Sequence, residues 1–168
     1  MRLKLILFSF FPLLCGISKV KLPGIFTDNL VFQQQSGNPV WGWAEPGEEV
    51  TVLTSWGTKD SATAGEDGKW MIITYTTGAG SGHEVTISGE NEIVLKNVAL
   101  GEVWLCAGQS NMGWSVANSF EAEGEAEVNL PDFRIFRSAR EHWHEPLEEN
   151  RDRLASWKPC NSKSAAET

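Results

Sequence analysis

The sequence is short of the residues that build metal centres and nucleic-acid interfaces. Its 168 residues include three cysteines and three histidines, with no CxxC pair and no cysteine–histidine spacing that suits zinc. Acidic side chains outnumber basic ones by 22 to 14, which gives a formal net charge of −8. That balance argues against nucleic acids and anionic membranes as partners. The composition therefore predicts no zinc site and no nucleic-acid partner.

Long apolar runs are scarce, and the one near the amino terminus is too short to span a membrane. It extends from Leu5 to Cys15, is interrupted by Pro12, and follows the basic residues Arg2 and Lys4. This arrangement is typical of a secretory signal peptide, which we predict for residues 1–18. The mature chain then carries 12 basic and 22 acidic side chains, a formal net charge of −10. We expect it to be secreted or periplasmic.

The cysteines leave two questions open. A lipid anchor at Cys15 is a less favoured alternative to free secretion, because Leu14 is not the small residue that such processing normally requires. Without the signal peptide, Cys106 and Cys160 remain, and an oxidising compartment permits them to pair. Cys106 lies in an apolar run and is equally well interpreted as a small buried hydrophobic residue.

Residues 19–100 have the pattern of an all-β domain. Turn sequences such as those at 45–48 and 66–69 separate short segments rich in valine, isoleucine, threonine and tryptophan. Val50 and Val52 alternate with more polar neighbours, as in a strand with one face in a core. We predict a sandwich-like accessory domain over this range. Its strands are "LVFQQQ", "NPVWGW", "EEVTVLTSW", "GKWMIITYT", "HEVTISG" and "NEIVLKNVAL".

The pattern changes after Gly101. The apolar run "EVWLCA" at 102–107 predicts a buried parallel strand. Met112, Val116 and Phe120 then recur every four residues, which favours a helix.

"FRIFRSAR" at 133–140 predicts a second strand. Strand, helix and strand in this order indicate a βαβ unit, which needs a parallel sheet covered on both faces. The fold class is therefore mixed, with residues 101–168 forming the start of an α/β hydrolase domain. One βαβ unit cannot bury its own faces, so we expect this domain to be incomplete.

The segment "LCAGQSNMGW" places Ser110 between the predicted strand and the predicted helix. A serine on such a turn can act as a nucleophile, because the first N–H groups of a helix are free to stabilise an oxyanion. Gly108 would allow the turn to be tight. The opposing interpretation is that Ser110 caps the helix, which serine commonly does.

Local spacing does not decide between these interpretations. The G-x-S-x-G elbow of α/β-hydrolases requires glycine where Met112 stands. A nucleophilic serine also needs a base, usually histidine. The candidates are His83, His142 and His144, and no local motif marks any of them.

Two longer segments carry a family resemblance. "GEVWLCAGQSNMGW" resembles the nucleophile segment of the sialate O-acetylesterase family of SGNH-type esterases, and "LPGIFTDNLVFQQQSGNPVWGWAEPGEEVTV" resembles that family's amino-terminal β-domain. "PDFRIFRSAR" and "SWKPC" are similar to its next strand and loop. The resemblance implies a flavodoxin-like SGNH domain after the β-domain.

The resemblance also implies a chemistry. Ser110 is then the nucleophile that takes an acetyl group from an O-acetylated sugar, without metal or cofactor. Gly108, Gln109 and Asn111 would shape the turn and support the oxyanion. The family's aspartate and histidine partners lie near the carboxyl end of its hydrolase domain and match no position here. We therefore expect these 168 residues to be an amino-terminal fragment that is inactive alone.

The alternative function is a non-catalytic carbohydrate-binding or scaffolding β-module. The sequence has eight tryptophans against one tyrosine, and Trp41, Trp43, Trp56 and Trp70 offer flat rings for sugars. The simpler interpretation is that they fill the core. Trp41 and Trp43 flank one glycine and so share one face of their strand, which makes their exposure the feature that distinguishes the two hypotheses.

Overall fold

The chain folds mostly as β-structure around a curled sheet. A computed structural model describes residues 19–120, 122–125, 129–138, 155–162 and 164. Strands make up most of the regular structure in the described residues, and the largest sheet is curled like half a barrel. The strands are β1 (Val31–Gln33), β2 (Gly37–Trp43), β3 (Glu49–Thr54), β4 (Lys59–Thr63), β5 (Lys69–Tyr75), β6 (Gly80–Ser88), β7 (Glu92–Gly101), β8 (Leu130–Ile135) and β9 (Lys158–Cys160).

Strand pairing joins β1 through β7 into two sheets over one core. The five-stranded sheet has the order β1-β7-β6-β3-β4, in which β1 runs parallel to β7 and the other neighbours are antiparallel. β2 and β5 form a separate antiparallel pair. One cluster of buried side chains draws on both sheets. It contains Val20, Phe26, Leu30, Phe32, Val40, Ala44, Val50, Val52, Ala64, Trp70, Ile72, Val85, Ile87, Leu95, Val98 and Leu100.

The alternation in β3 confirms the predicted orientation of that strand. Val50, Val52 and Thr54 are buried, whereas Leu53 between them is exposed. Because successive side chains in a strand point to opposite faces, the valines reach the core and the leucine cannot.

β4 was not predicted from the sequence. Its residues, Lys59–Thr63, read KDSAT and are almost all exposed. β4 lies at the edge of the five-stranded sheet and pairs with β3 alone among its strands. Without an apolar alternation it has no sequence signal, and its charged residues are typical of a protected edge.

Gly42 allows two backbones to come together beside the paired tryptophans. Lys21 and Trp43 exchange backbone hydrogen bonds of 2.8 and 3.0 Å, which form an isolated antiparallel bridge. A side chain at Gly42 would collide with the Lys21 carbonyl. The absence of a Cβ at this position is therefore required by the packing.

The predicted buried strand at 102–107 is wrong. β7 ends at Gly101, and residues 102–108 have no regular structure and are exposed. Trp104 and Leu105 are 82% and 93% exposed. A parallel strand is stable only between neighbours that bond its backbone and cover both faces, and the described residues provide none for this run.

The predicted helix after Ser110 is also wrong in its described part. Two 3₁₀ turns, Ser110–Gly113 and Val116–Asn118, replace it, followed by the four-residue helix α1 (Ala122–Glu125). Phe120, which the periodicity placed on a buried face, is 91% exposed. An isolated helix of this length is marginal without packing against its apolar face.

The second predicted strand exists, but in another arrangement. β8 begins at Leu130 and pairs antiparallel with β9. No parallel βαβ unit is present among the described residues.

Arg134 in β8 attaches this part of the chain to the core region. Its guanidinium is buried and its Nη1 donates to the carbonyls of Asn29 (3.0 Å), Leu30 (3.4 Å) and Asn97. Asn29 and Asn97 have positive φ angles of 65° and 53°, which turn their backbone toward this site. Burial lowers the pKa of the Arg134 guanidinium, and Asp132 opposes that effect. Trp157 adds a second attachment, since its Nε1 donates to the Ile25 carbonyl at 2.9 Å.

The predicted signal peptide at residues 1–18, with Cys15, lies outside the described residues, as do His142 and His144. Across the part of the chain that is described, no helix is long and apolar enough to cross a membrane.

Candidate functional site

The chain leaves the curled sheet toward Ser110 at the paired ends of β1 and β7. Gln33 is in register with Gly101, and the backbone N–H of Gln34 donates to the Gly101 carbonyl at 2.9 Å. Beyond this point the contacts between the two strand ends are hydrogen bonds that involve side chains. Glu102 Oε2 accepts from Gln33 Nε2 at 3.0 Å, and Glu102 Oε1 accepts from Gln34 Nε2 at 2.8 Å. These hydrogen bonds, that of Gln33 first, lower the pKa of Glu102.

Ser110 is exposed and begins the first 3₁₀ turn. Gln109 occupies the preceding cap position, with φ −98° and ψ −142°, and no side chain caps the turn. The capping interpretation of Ser110 therefore fails, because its side chain closes no helix end. In a turn of this kind the first N–H groups have no partner within the helix.

The other predicted site residues surround Ser110 in sequence without forming an enclosed arrangement. Gly108, Gln109 and Asn111 are all exposed. The Asn111 carbonyl accepts the N–H of Trp114 at 3.1 Å, which closes the turn. Their support of an oxyanion stays a prediction.

The described structure brings no histidine to Ser110. His83 is the one histidine in the described ranges, and its Nδ1 lies 3.1 Å from Ser55 Oγ. His142 and His144 are not described. The described residues therefore do not identify a base for Ser110.

The Ser55–His83 pair is a second serine–histidine contact that the sequence analysis missed. The two residues are 28 positions apart and meet because β3 pairs with β6, with Thr54 opposite Val85. Ser55 Oγ also accepts the N–H of Glu84 at 3.1 Å. The His83 ring packs edge-on against Trp56 at a centroid distance of 5.4 Å. These contacts join the end of β3 to β6, and only a prediction of strand register could have found them.

Cys106 and Cys160 do not form a disulfide in this structure. Cys106 is exposed and Cys160 is buried, and both are free thiols. The interpretation of Cys106 as a buried hydrophobic residue is therefore also wrong. Among the described residues, no group of three or more histidine, cysteine or acidic side chains could hold a metal ion.

The four tryptophans considered for sugar stacking are buried or half-buried. Trp41 and Trp43 share one face of β2, as predicted, and both are half-buried. Trp41 packs edge-on against Phe26 at 4.8 Å, and Trp70 is buried in the core. Trp56 is half-buried against the core. These contacts favour packing over sugar stacking for Trp41 and Trp70.

Known proteins that are similar to this chain are named as acetylesterases. Mouse sialate O-acetylesterase is 32% identical to this chain over 127 residues, which are 68% of the chain and 23% of the mouse protein. Human sialate O-acetylesterase is 30% identical over 111 residues, 60% of the chain and 21% of the human protein. The chain is a homologue of the sialate O-acetylesterases. The resemblance that the sequence carried is thereby confirmed. No protein-family model matches the chain.

A solved structure extends the homology with the acetylesterases to the fold. A carbohydrate acetylesterase from Xanthomonas citri superposes with a TM-score of 0.83 at 26% identity. The match covers 89% of this chain and 34% of that one. The chain thus spans about a quarter of the curated sialate O-acetylesterases and a third of the solved acetylesterase.

Proposed function

We propose that the chain is part of a carbohydrate esterase that removes O-acetyl groups from sialic acid or related acetylated glycans, with Ser110 as its nucleophile. The observation that carries the proposal is the state of Ser110: it is exposed, begins a 3₁₀ turn and caps no helix. It lies in a chain whose homologues are named sialate O-acetylesterase and carbohydrate acetylesterase.

The chemistry is acyl transfer in two steps. Ser110 Oγ attacks the acetyl carbonyl while a base takes its proton, and the tetrahedral oxyanion is stabilised by backbone N–H groups at the start of the turn. The sugar hydroxyl leaves with a proton, and water then hydrolyses the acetyl-serine. Gly108, Gln109 and Asn111 shape this turn in the proposal.

The proposal includes the parts that the described residues leave open. Residues 101–168 would belong to an SGNH-type α/β domain, residues 19–100 to a sandwich-like accessory domain, and residues 1–18 would direct export to the periplasm or beyond. Exposure of the apolar run at 103–105 supports the first point, because such side chains are expected to pack in a larger domain.

The test is hydrolysis of p-nitrophenyl acetate and of an O-acetylated sialic acid by the purified chain. Because no base adjoins Ser110 in the described residues, we expect the chain alone to stay at the buffer rate. A rate above buffer that is lost in Ser110→Ala would overturn the expected inactivity and identify the nucleophile. A rate that survives Ser110→Ala would contradict the assignment of Ser110, and Ser55→Ala would then show whether the Ser55–His83 pair is responsible.

A chimaera provides the positive measurement. The segment of the Xanthomonas citri acetylesterase that superposes on this chain is replaced by the chain itself. We expect acetate release by the chimaera, and a loss of at least about a thousandfold in Ser110→Ala. Ser55→Ala in the same chimaera is the matched control and should keep the parent rate. A folded chimaera whose rate is unaffected by Ser110→Ala would refute the proposal.

A further inference from the structure

The segment that carries Ser110 is attached to the curled sheet at one place. Glu102 and Val103 hydrogen-bond to β1 and the residue after it. From Trp104 to Ser110, the described structure contains no hydrogen bond to the sheet and every residue is exposed. The contacts at 102–103 therefore set the direction in which the chain departs toward Ser110.

These contacts form a closed network of side chains. The amide of Gln33 is used at both ends, because its Oε1 accepts the N–H of Val103 at 2.9 Å while its Nε2 donates to Glu102. Gln34 donates to the other oxygen of the same carboxylate. Each oxygen of Glu102 thus receives one amide hydrogen, and the donor and acceptor ends of Gln33 are fixed by what they face.

Position in the sheet explains why two glutamines are available here. Gln33 ends β1, and the Gln34 N–H makes the last backbone bond to Gly101. The following residues leave the ladder, so their polar groups need other partners. Gln33 supplies one to Val103, and the network continues the pairing of β1 and β7 by two residues through side chains.

We propose that Gln33, Gln34 and Glu102 are positioning residues that orient the Ser110 segment on the β-structure. Glu102 does not touch the substrate and takes no part in proton transfer. Its carboxylate acts by holding the first two residues of the segment, so that the nucleophile is presented in one direction. The catalytic meaning of this role rests on the proposed function, whereas the attachment itself does not.

The experiment measures the attachment on the 168-residue chain without relying on catalysis. Hydrogen exchange at the Val103 amide is compared in the parent, Gln33→Ala and Gln33→Glu. We expect exchange about fivefold faster in both variants, because the first removes the acceptor of Val103 and the second places a carboxylate against that of Glu102. Glu92→Gln, at the exposed start of β7, is the control and should match the parent.

A swap of donor and acceptor separates positioning from a general loss of structure. In the double variant with Gln33→Glu and Glu102→Gln, the new carboxylate accepts from Val103 and from residue 102, while Gln34 still donates to residue 102. Slow exchange of Val103 should return. A spin label on Cys106, in a Cys15→Ser background, should become more mobile in the single variants and return to parent mobility in the double variant.

Unchanged Val103 exchange and unchanged label mobility in the single variants would overturn the proposal, as would a double variant that recovers neither. These outcomes are independent of Ser110. If the attachment behaves as expected while Ser110→Ala leaves esterase activity intact in the chimaera, the proposed function fails and the attachment stands.

Discussion

The β-region at 19–101 and the segment at 102–125 differ in what their apolar residues contact. In the β-region, alternate residues of nearly every strand enter one core drawn from two sheets. In the segment, Trp104, Leu105 and Phe120 are all more than four-fifths exposed. Both parts contain many apolar residues, so the difference lies in their neighbours. The strands have partners for backbone and side chains, whereas the described part of the segment beyond Val103 has no hydrogen bond to the sheet.

The comparison also shows how the later strands are attached. β8 and β9 do not join the curled sheet, yet Arg134 and Trp157 bind carbonyl groups of the loops around it. Side-chain hydrogen bonds to backbone thus replace a shared ladder. Such an attachment is local, and its loss should leave the core intact.

The largest expected effect is on the core. Ile87→Ala should lower the free energy of unfolding by about 3 kcal/mol, because Ile87 is fully buried and truncation leaves a cavity. Leu105→Ala is the matched change in the exposed segment and should shift it by less than about 0.5 kcal/mol. Urea unfolding followed by circular dichroism measures both. Equal losses would mean that the segment is packed in solution.

A smaller effect is expected where β8 is attached to the β-region. Arg134→Met removes the donor to three carbonyls and should cost about 2 kcal/mol, since hydrogen bonds of a charged, buried donor are among the stronger ones. Arg134→Lys should recover part of this, because an ammonium can reach fewer of the carbonyls.

Limited proteolysis together with urea unfolding measures this attachment. Cleavage near β8 should become faster in Arg134→Met, whereas Lys59→Met on the exposed edge strand should behave as the parent. If cleavage and stability are unchanged, Arg134 does not hold β8 to the sheet.

The smallest effect concerns the surface and leaves stability unchanged. The chain should bind the dye ANS or self-associate through its exposed apolar side chains. Replacing Trp104 and Leu105 by serine should lower ANS fluorescence more than Met71→Ser, an exposed position within the ordered sheet. Sedimentation and dye titration test this. A monomeric parent chain without dye binding would contradict it.

Periodicity predicted most of the β-region correctly because its strands are amphipathic. Val50 and Val52 point inward because every second side chain does so, and the turn at 45–48 ends the preceding strand as its proline and glycine indicate. β4 escaped prediction, since an edge strand with polar residues has no alternation to detect.

For the segment after Gly101, the same kind of pattern gave a wrong structure. The apolar run at 102–107 and the four-residue repeat after it indicate which side chains would be buried in a strand or a helix. Such burial requires a second surface to pack against. The described residues offer none, so local propensity alone yields 3₁₀ turns and an extended chain.

Of the candidate site, the sequence determined the identity of Ser110 as the residue of interest and the relationship to the acetylesterases, because both reside in consecutive letters. The tertiary structure decided that Ser110 caps no helix, that His83 meets Ser55, and that Gln33 and Gln34 hold Glu102. The contacts of His83 and of Glu102 join residues at least 28 positions apart and depend on strand register. Register is set by which faces share a core, and no local pattern contains that information.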